Sequence, residues 1–381
     1  MKIIHVYPYY NRLGGVEKYL LDTLPFQSNS GKSIELIGGQ FDPDVRAMYT
    51  CRPVPFFKSP AILAIMSFVI AAEFKIFRLG ERRASGMIIH SQGASSLCPD
   101  VVTAHSCHKA WFFKSLRKER PFSKAWIKKI LNPIHYWTIL VESIQYRRSG
   151  RTHVVAISGG IKSELQRYFG LPESRITVIH SGVDCDKYHP SKRTTFRSTI
   201  RKQYGLRDED VVLVFVANEF RRKGLGPLLN GLQLCANPDL KLLVVGRDST
   251  RDFEKLADEL SLRSQIIFVG STPHVDQYYA ASDIFVFPTQ YEPFGLVATE
   301  AMAAGLPLII SELAGAAELM NDGIDCIKLR DPKDPVEIAS ALKRLESKEV
   351  RDSMGLKARE SALKHSWLEV VKKLDDVYSL V

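Results

Sequence analysis

Cysteine is sparse and unpatterned in this 381-residue sequence. Cys51, Cys98, Cys107, Cys185, Cys235 and Cys326 are scattered, with no CxxC pair and no zinc-ligand spacing. That excludes a disulfide framework and a zinc module, and reduced thiols in a cytosolic protein are expected. Long hydrophobic runs are missing too. The longest, AILAIMSFVIAA at 61–72, falls short of the ~20 apolar residues of a membrane span. It reads as a buried or interfacial helix. No signal-peptide pattern precedes the first strand, since MKIIHVYPYY runs directly into it. No stretch is low in complexity and no short-period repeat is present. These absences predict a cytoplasmic protein, and a peripheral place on the inner face of the cell membrane is expected.

Acidic residues are outnumbered. Asp and Glu total 42 against 52 Lys and Arg, a formal charge of +10. The excess is concentrated. From Lys109 to Arg151 there are eleven Lys and Arg against Glu119 and Glu142, and three of the four tryptophans lie there: Trp111, Trp126 and Trp137. Cations interleaved with aromatics over 108–148 suit an anionic membrane surface. The same composition fits a helix pair with a solvated basic face and aromatics in the core, so both remain open. No recognised nucleic-acid motif accompanies the charge, and nucleic acid is not an expected partner.

What is present is an alternation. The runs KIIHVY, SIELIGG, GMIIHS, VVTAHS, THVVAIS and RITVIHSG alternate with helical stretches, one of them ending at Gly170. After a polar, basic stretch, SKRTTFRSTIRKQYG, the pattern restarts with VVLVFVAN, KLLVVG, QIIFVG, DIFVFP and LPLII. Apolar strands alternating with helices predict parallel sheets covered on both faces. Two such series predict an α/β protein of two doubly wound, Rossmann-like domains facing a central cleft, divided near Pro190. Functional residues are then expected just after strands.

Three segments meet that condition. In YNRLGGVEKYL, Gly14 and Gly15 open the first helix; they fit a phosphate-approaching loop and an ordinary tight turn alike. In YEPFGLVATEAMAAG, Gly295 opens a helix to about Ala304, with Gly305 at its end. The amides of Phe294, Gly295 and Leu296 at its start suit a phosphate. Glu292 and Glu300 lie in a segment apolar enough to be buried, so each needs a base or a ligand. In VANEFRRKGLGPLL, Arg221, Arg222 and Lys223 crowd a helix start against its dipole, which makes sense if an anion binds there. Arg221 reads as surface. The aspartates of DPD (42–44) and DED (208–210) read as turn residues.

RRKG after a strand and DIFVFPTQYEPFGLVATEAMAAGLPLI resemble the retaining glycosyltransferases of family 4, which have the GT-B architecture. Their signature, a glutamate, seven residues and a second glutamate, falls on Glu292 and Glu300. GGVEK is similar to the family's amino-terminal glycine loop. HSGVD (180–184) is similar to its NGVD, with His-Ser where Asn is usual. VVGRDS (244–249) is similar to its strand end, with a departure at Arg247-Asp248. HSWLEVVKKLDDVYSLV resembles the terminal helix that crosses back to the first domain. The resemblance covers nearly the whole chain. The expected domains are 1–190, an acceptor-binding domain joined by helix 366–381, and 191–365, a nucleotide-sugar-binding domain. Segment 108–148 and the overall spacing are also similar to bacterial lipopolysaccharide-core glucosyltransferases.

The resemblance implies roles. Arg222 and Lys223 would bind the donor diphosphate and stabilise its departure. Glu292 would hold donor-sugar hydroxyls and Glu300 the ribose. Gly14, Gly15 and the amides of Phe294, Gly295 and Leu296 would contact the donor, so Glu292 and Glu300 would be satisfied by the nucleotide sugar rather than by protein. His105, after the VVTAHS strand, matches an active-site position near donor sugar and acceptor; His108 reads as structural. No carboxylate is placed as a covalent nucleophile, so retention by front-face departure and attack is expected. Positive potential at the diphosphate needs no metal, and neither an obligatory metal nor a separate cofactor is expected. The implied reaction moves a hexose from a nucleotide sugar, UDP-glucose or a related UDP-hexose, to a glycolipid or saccharide acceptor. The alternatives are a GDP-mannose-dependent mannosyltransferase and a non-catalytic nucleotide-sugar or anionic-lipid binding protein.

Overall fold

The computed structural model describes residues 1–11, 14–79, 86–147 and 150–381. It divides into two compact units, Met1–Ser181 with Trp367–Val381, and Gly182–Ser366. The division falls before Pro190 because the chain from Val183 is already tied to the second unit. The Val183 amide donates to the His365 carbonyl at 3.0 Å, and Arg359 donates to the carbonyls of Cys185 and Tyr188, each at 3.0 Å.

The first unit runs β1 (Lys2–Val6), β2 (Tyr9–Tyr10), α1 (Gly15–Asn29), β3 (Ser33–Gly38), β4 (Gln40–Phe41), α2 (Pro43–Met48), β5 (Thr50–Pro53), α3 (Ala61–Arg78), β6 (Met87–Gln92) and β7 (Val101–Ala104). It continues through α4 (His108–Arg117), α5 (Lys124–Ile130), α6 (Pro133–Gln145), β8 (His153–Ala156), α7 (Gly159–Phe169) and β9 (Ile176–Val178). The second unit runs α8 (Lys192–Gln203), β10 (Val211–Val216), α9 (Leu225–Cys235), β11 (Leu240–Val245), α10 (Arg251–Glu259), β12 (Ile266–Gly270), α11 (Val275–Ala281) and β13 (Ile284–Phe287). It ends with α12 (Leu296–Ala303), β14 (Leu308–Ser311), β15 (Cys326–Leu329), α13 (Pro335–Arg344) and α14 (Lys348–Leu363), and α15 (Trp367–Tyr378) belongs to the first unit.

The first sheet has the order β5-β3-β1-β6-β7-β8-β9 and the second β12-β11-β10-β13-β14-β15. The recorded pairings are parallel, as continuous apolar strands such as Val211–Val216 require. Strand order reverses between β1 and β6 in the first unit and between β10 and β13 in the second. Those two switch points open at the carboxyl ends of the strands, where doubly wound sheets take ligands.

Two segments differ from their sequence reading. SKRTTFRSTIRKQYG is mostly the helix α8 rather than a linker. Arg193, Arg197 and Arg201, spaced four apart on one face, all reach Asp283 at 3.1, 2.8 and 2.6 Å. An ion-paired face replaces the apolar stripe that would have marked the helix in sequence. The apolar segment 61–72 is part of α3 and is neither wholly buried nor wholly surface. Phe68, Val69, Ala72 and Ile76 join the core over β1 and β6, while Leu63, Ile70, Phe74 and Phe77 form an exposed stripe at helical spacing. No helix among the described residues is long and apolar enough to cross a membrane.

The core of the first unit holds an unusual set of neutral histidines. His5 and His90 lie with ring centroids 5.0 Å apart, and His90 bonds Tyr378 of α15 at 2.7 Å and Thr103 at 2.8 Å. Burial lowers His5 to about 4 and His90 well below its ordinary value. The unfolded chain therefore takes up more protons between pH 6.5 and 4, and folding stability falls as the pH drops through that window. His5 alone is expected to forfeit about 2 kcal/mol by pH 5. Thermal unfolding at pH 7.5 and 5.0 checks this. The wild type should lose more stability between the two than His5→Gln, and equal losses would contradict it.

Candidate active site

The second switch point carries the densest chemistry. After β10 the chain turns through Glu219, whose φ of 61° is left-handed, and delivers Arg222 and Lys223 just ahead of α9. After β13 it delivers Glu292, held by an isolated bridge to Ala314 and by the Gly315 amide on its carbonyl at 3.0 Å. Lys223 and Glu292 meet in a direct ion pair. Their side chains are only 9% and 15% exposed. Phe287 lies under the ammonium, 5.2 Å from its ring centroid. Burial, and then the like charge of Arg222, lowers the Lys223 ammonium; the Glu219 carboxylate opposes them.

Glycine is needed on both sides of this pair. Gly224, next to Lys223, has φ of 89°, and a Cβ there would collide with the Pro288 carbonyl oxygen. Gly295 has φ of 100° as the N-cap of α12, and its Cβ would press on Glu292. A left-handed N-cap lets the helix start at Leu296, close behind the carboxylate. Phe294 is in the core, so its part in a ligand site falls to its backbone.

Sequence reasoning assigned both carboxylates to a ligand. In the structure each also has a protein partner: Glu292 is answered by Lys223, and Glu300 accepts from the Tyr279 hydroxyl at 3.0 Å. Carboxylates this deep must be satisfied while the fold stands alone, whatever binds later. Arg222 is also held by the chain. It grips Glu219 at 2.8 and 3.1 Å and donates to the Tyr291 carbonyl at 2.5 Å, tying the two loops together. Arg221 is on the surface beside Asp252. Glu219 was missed, although an acid three residues before Arg222 in NEFRRK is the spacing of such a pair.

Gly14, Gly15 and His105 lie in the first unit. Gly15 opens α1 with open space beside it among the described residues, whereas a Cβ on Gly14 would collide with the Glu17 carboxylate. His105 follows β7, packs edge-on to Tyr19 and bonds Gln92 at 2.8 Å. Burial lowers it to about 3, so the ring is neutral. It lines a cavity of about 230 Å³ at the β1–β6 switch point, together with Tyr7, Phe68, Gln92, His108 and Glu142. His108 contacts His135 at 3.0 Å. Gln92 and Glu142 were not marked by the sequence. Glu142 could have been, as a lone acid inside the basic segment; a glutamine ending an apolar strand gives no signal.

The aspartates read as turn residues do local work. Asp42 stands at the N-cap position of α2, and Asp210 accepts from the Arg207 amide at 2.7 Å. Among the described residues, no three His, Cys, Asp or Glu side chains are grouped to hold a metal ion.

Two family models match the chain. Glycosyltransferase Family 4 matches residues 13–187, and Glycosyl transferases group 1 matches residues 196–361. The chain belongs to the GT-B glycosyltransferases. A D-inositol 3-phosphate glycosyltransferase of Corynebacterium kroppenstedtii is 32% identical over 57% of this chain and 51% of its own length. The lipopolysaccharide glucosyltransferase WaaG of Escherichia coli is 23% identical over 63% of this chain and 62% of its own. The matches thus span little more than half the length of these curated relatives. A crystal structure of WaaG covers 99% of both chains with a TM-score of 0.80 at 20% identity. Anabaena HepE, solved with UDP and glucose, covers 100% of both with a TM-score of 0.71 at 19% identity. Both show the fold shared with this glycosyltransferase.

The ion pair makes a prediction that needs no ligand. Glu292→Ala strands a buried ammonium and should cost about 3 kcal/mol in chemical denaturation. Adding Lys223→Met should recover most of that. Additive losses in the double variant would show that the pair is not a unit.

Proposed function

We propose that the protein is a retaining glycosyltransferase that moves a hexose from a nucleotide sugar, UDP-glucose or a related UDP-hexose, to a glycolipid or polysaccharide precursor at the cytoplasmic membrane face. The Lys223–Glu292 pair at the β10–β13 switch point carries this reading. A diphosphate entering there meets Lys223, Arg222 and the start of α12, all of positive potential. Once Lys223 turns to the phosphates, Glu292 is released to accept from hydroxyls of the donor sugar. Glu300 takes the ribose, and the backbone at Phe294, Gly295 and Leu296 contacts the phosphates. HepE, bound to UDP and glucose on the same fold, supports the donor class.

The chemistry follows from charge. The glycosidic bond breaks toward an oxocarbenium-like centre while negative charge grows on the departing diphosphate. Fixed cations at that oxygen are worth more in the transition state than in the ground state. This arrangement calls for no metal. His105, neutral and held by Gln92, orients sugar hydroxyls by hydrogen bonding, and Gly14 and Gly15 meet the donor through their backbone, with open space beside Gly15 alone. The acceptor attacks from the face the diphosphate leaves.

Membrane association rests on α5. None of its residues is buried; Lys124 and Lys128 are exposed beside Ile127 and, at its flanks, Phe122 and Leu131. Phe112, His135 and Trp137 instead pack inward, so the basic aromatic segment is part core and part surface. The exposed stripe of α3, which packs beside α6, adds apolar area. Cations with exposed aromatics and aliphatics suit an anionic bilayer.

A thermal-shift and donor-hydrolysis screen over UDP-, GDP- and ADP-sugars, with and without EDTA, tests the catalytic reading. Stabilisation by a UDP-hexose with slow, EDTA-insensitive hydrolysis is expected, and Lys223→Ala should abolish both. A GDP-mannose response would move the donor assignment, and no response to any nucleotide sugar would overturn the reading. In flotation with phosphatidylglycerol vesicles, binding should weaken in high salt and with Phe122→Ser/Leu131→Ser. Equal flotation with neutral vesicles would contradict the membrane assignment.

A further inference from the structure

The cavity at the β1–β6 switch point combines two features that point to a ligand. Its wall is apolar on one side, with Phe56, Phe68 and Val69, and polar on the other, with Gln92, His105 and Glu142. Gln92 is 1% exposed; its oxygen is engaged by His105, and its Nε2 has no partner. A buried amide donor left without an acceptor is rare and costly unless something else supplies the oxygen.

Charge decides what kind of oxygen. Among the described residues no Lys or Arg lines the cavity, although the chain carries +10 and the helices beside it are the most basic part of the sequence. The start of α4 would be the natural seat for a phosphate. It is already occupied: the His108 amide donates to Glu142 Oε1 at 2.7 Å and the Lys109 amide to Oε2 at 3.1 Å. Burial raises Glu142 to about 7 against the pull of those two amides, so above that pH a ligand phosphate would meet a carboxylate. The two histidines add no cation, since burial lowers His105 to about 3 and His108 to about 4.

We infer that this cavity binds one uncharged sugar ring of the acceptor, with its C–H face on Phe56 and Phe68, a ring hydroxyl accepting from Gln92, and another donating to Glu142. Glu142 is the specificity element, excluding acceptors phosphorylated on that ring. The size agrees. About 230 Å³ lies just below the roughly 300–1,000 Å³ of sites for drug-sized ligands, enough for one ring. The inference deepens the glycosyltransferase reading and rests on it for the word acceptor.

Saturation-transfer NMR on the full chain at pH 8.5, where Glu142 is ionised, tests it with two probes, methyl α-D-glucopyranoside and myo-inositol 1-phosphate. The neutral glycoside should bind the wild type and the phosphate ester should not. Gln92→Leu should weaken glycoside binding by about tenfold, the worth of one good hydrogen bond. Glu142→Gln, which keeps shape while removing charge, should admit the phosphate ester. Preference of the wild type for the phosphate ester, or unchanged glycoside binding in Gln92→Leu, would overturn the inference. A UDP-glucose titration of the same wild-type sample separates the two failures. UDP-glucose binding without glycoside binding refutes the cavity assignment alone, whereas loss of both refutes the donor reading as well.

Discussion

A buried ammonium against a buried carboxylate is the constraint around which the second unit is arranged. Lys223 and Glu292 come from loops after different strands, β10 and β13, and neither charge can stay there without the other. Satisfying both fixes the neighbouring backbone. Gly224 must be left-handed to pass under Pro288, and Gly295 must be left-handed to start α12 behind Glu292. Arg222 then staples the same two loops through Glu219 and the Tyr291 carbonyl. The loops are thus held in place by charges that a diphosphate and a sugar can later exchange for their own.

This arrangement sets the site's character. A pair of opposite charges that satisfy each other costs less than two solitary ones, and on the proposed reading each is also a group the donor uses. Binding has to break the pair and replace both halves. Only a ligand offering an anion and a hydroxyl cluster together can do that. A simple anion would satisfy Lys223 and strand Glu292, so on the proposed reading the pairing favours nucleotide sugars over free phosphate.

Much of this was legible in sequence, for definite reasons. Unbroken apolar runs such as VVLVFV announce parallel strands because both sheet faces are covered. Arg222, Lys223, Glu292 and Gly295 stood out because each lies just after a strand and each is out of place there. The partners of the carboxylates were not legible. Lys223 and Glu292 are far apart in sequence, and their meeting depends on the strand order, which no local pattern encodes. The helix α8 was hidden for a related reason: its three arginines converge on Asp283, so it lacks the apolar stripe by which helices are recognised. Gln92 was invisible because a glutamine on a strand looks like any satisfied polar residue until its unpartnered amide is found beside a cavity.

The most direct test is a crystal structure with UDP-glucose bound. The account predicts that the Lys223–Glu292 pair opens, with Lys223 Nζ on a diphosphate oxygen and Glu292 on hydroxyls of the glucose. A complex with the pair intact, and the nucleotide seated away from the carboxyl ends of β10 and β13, would contradict it.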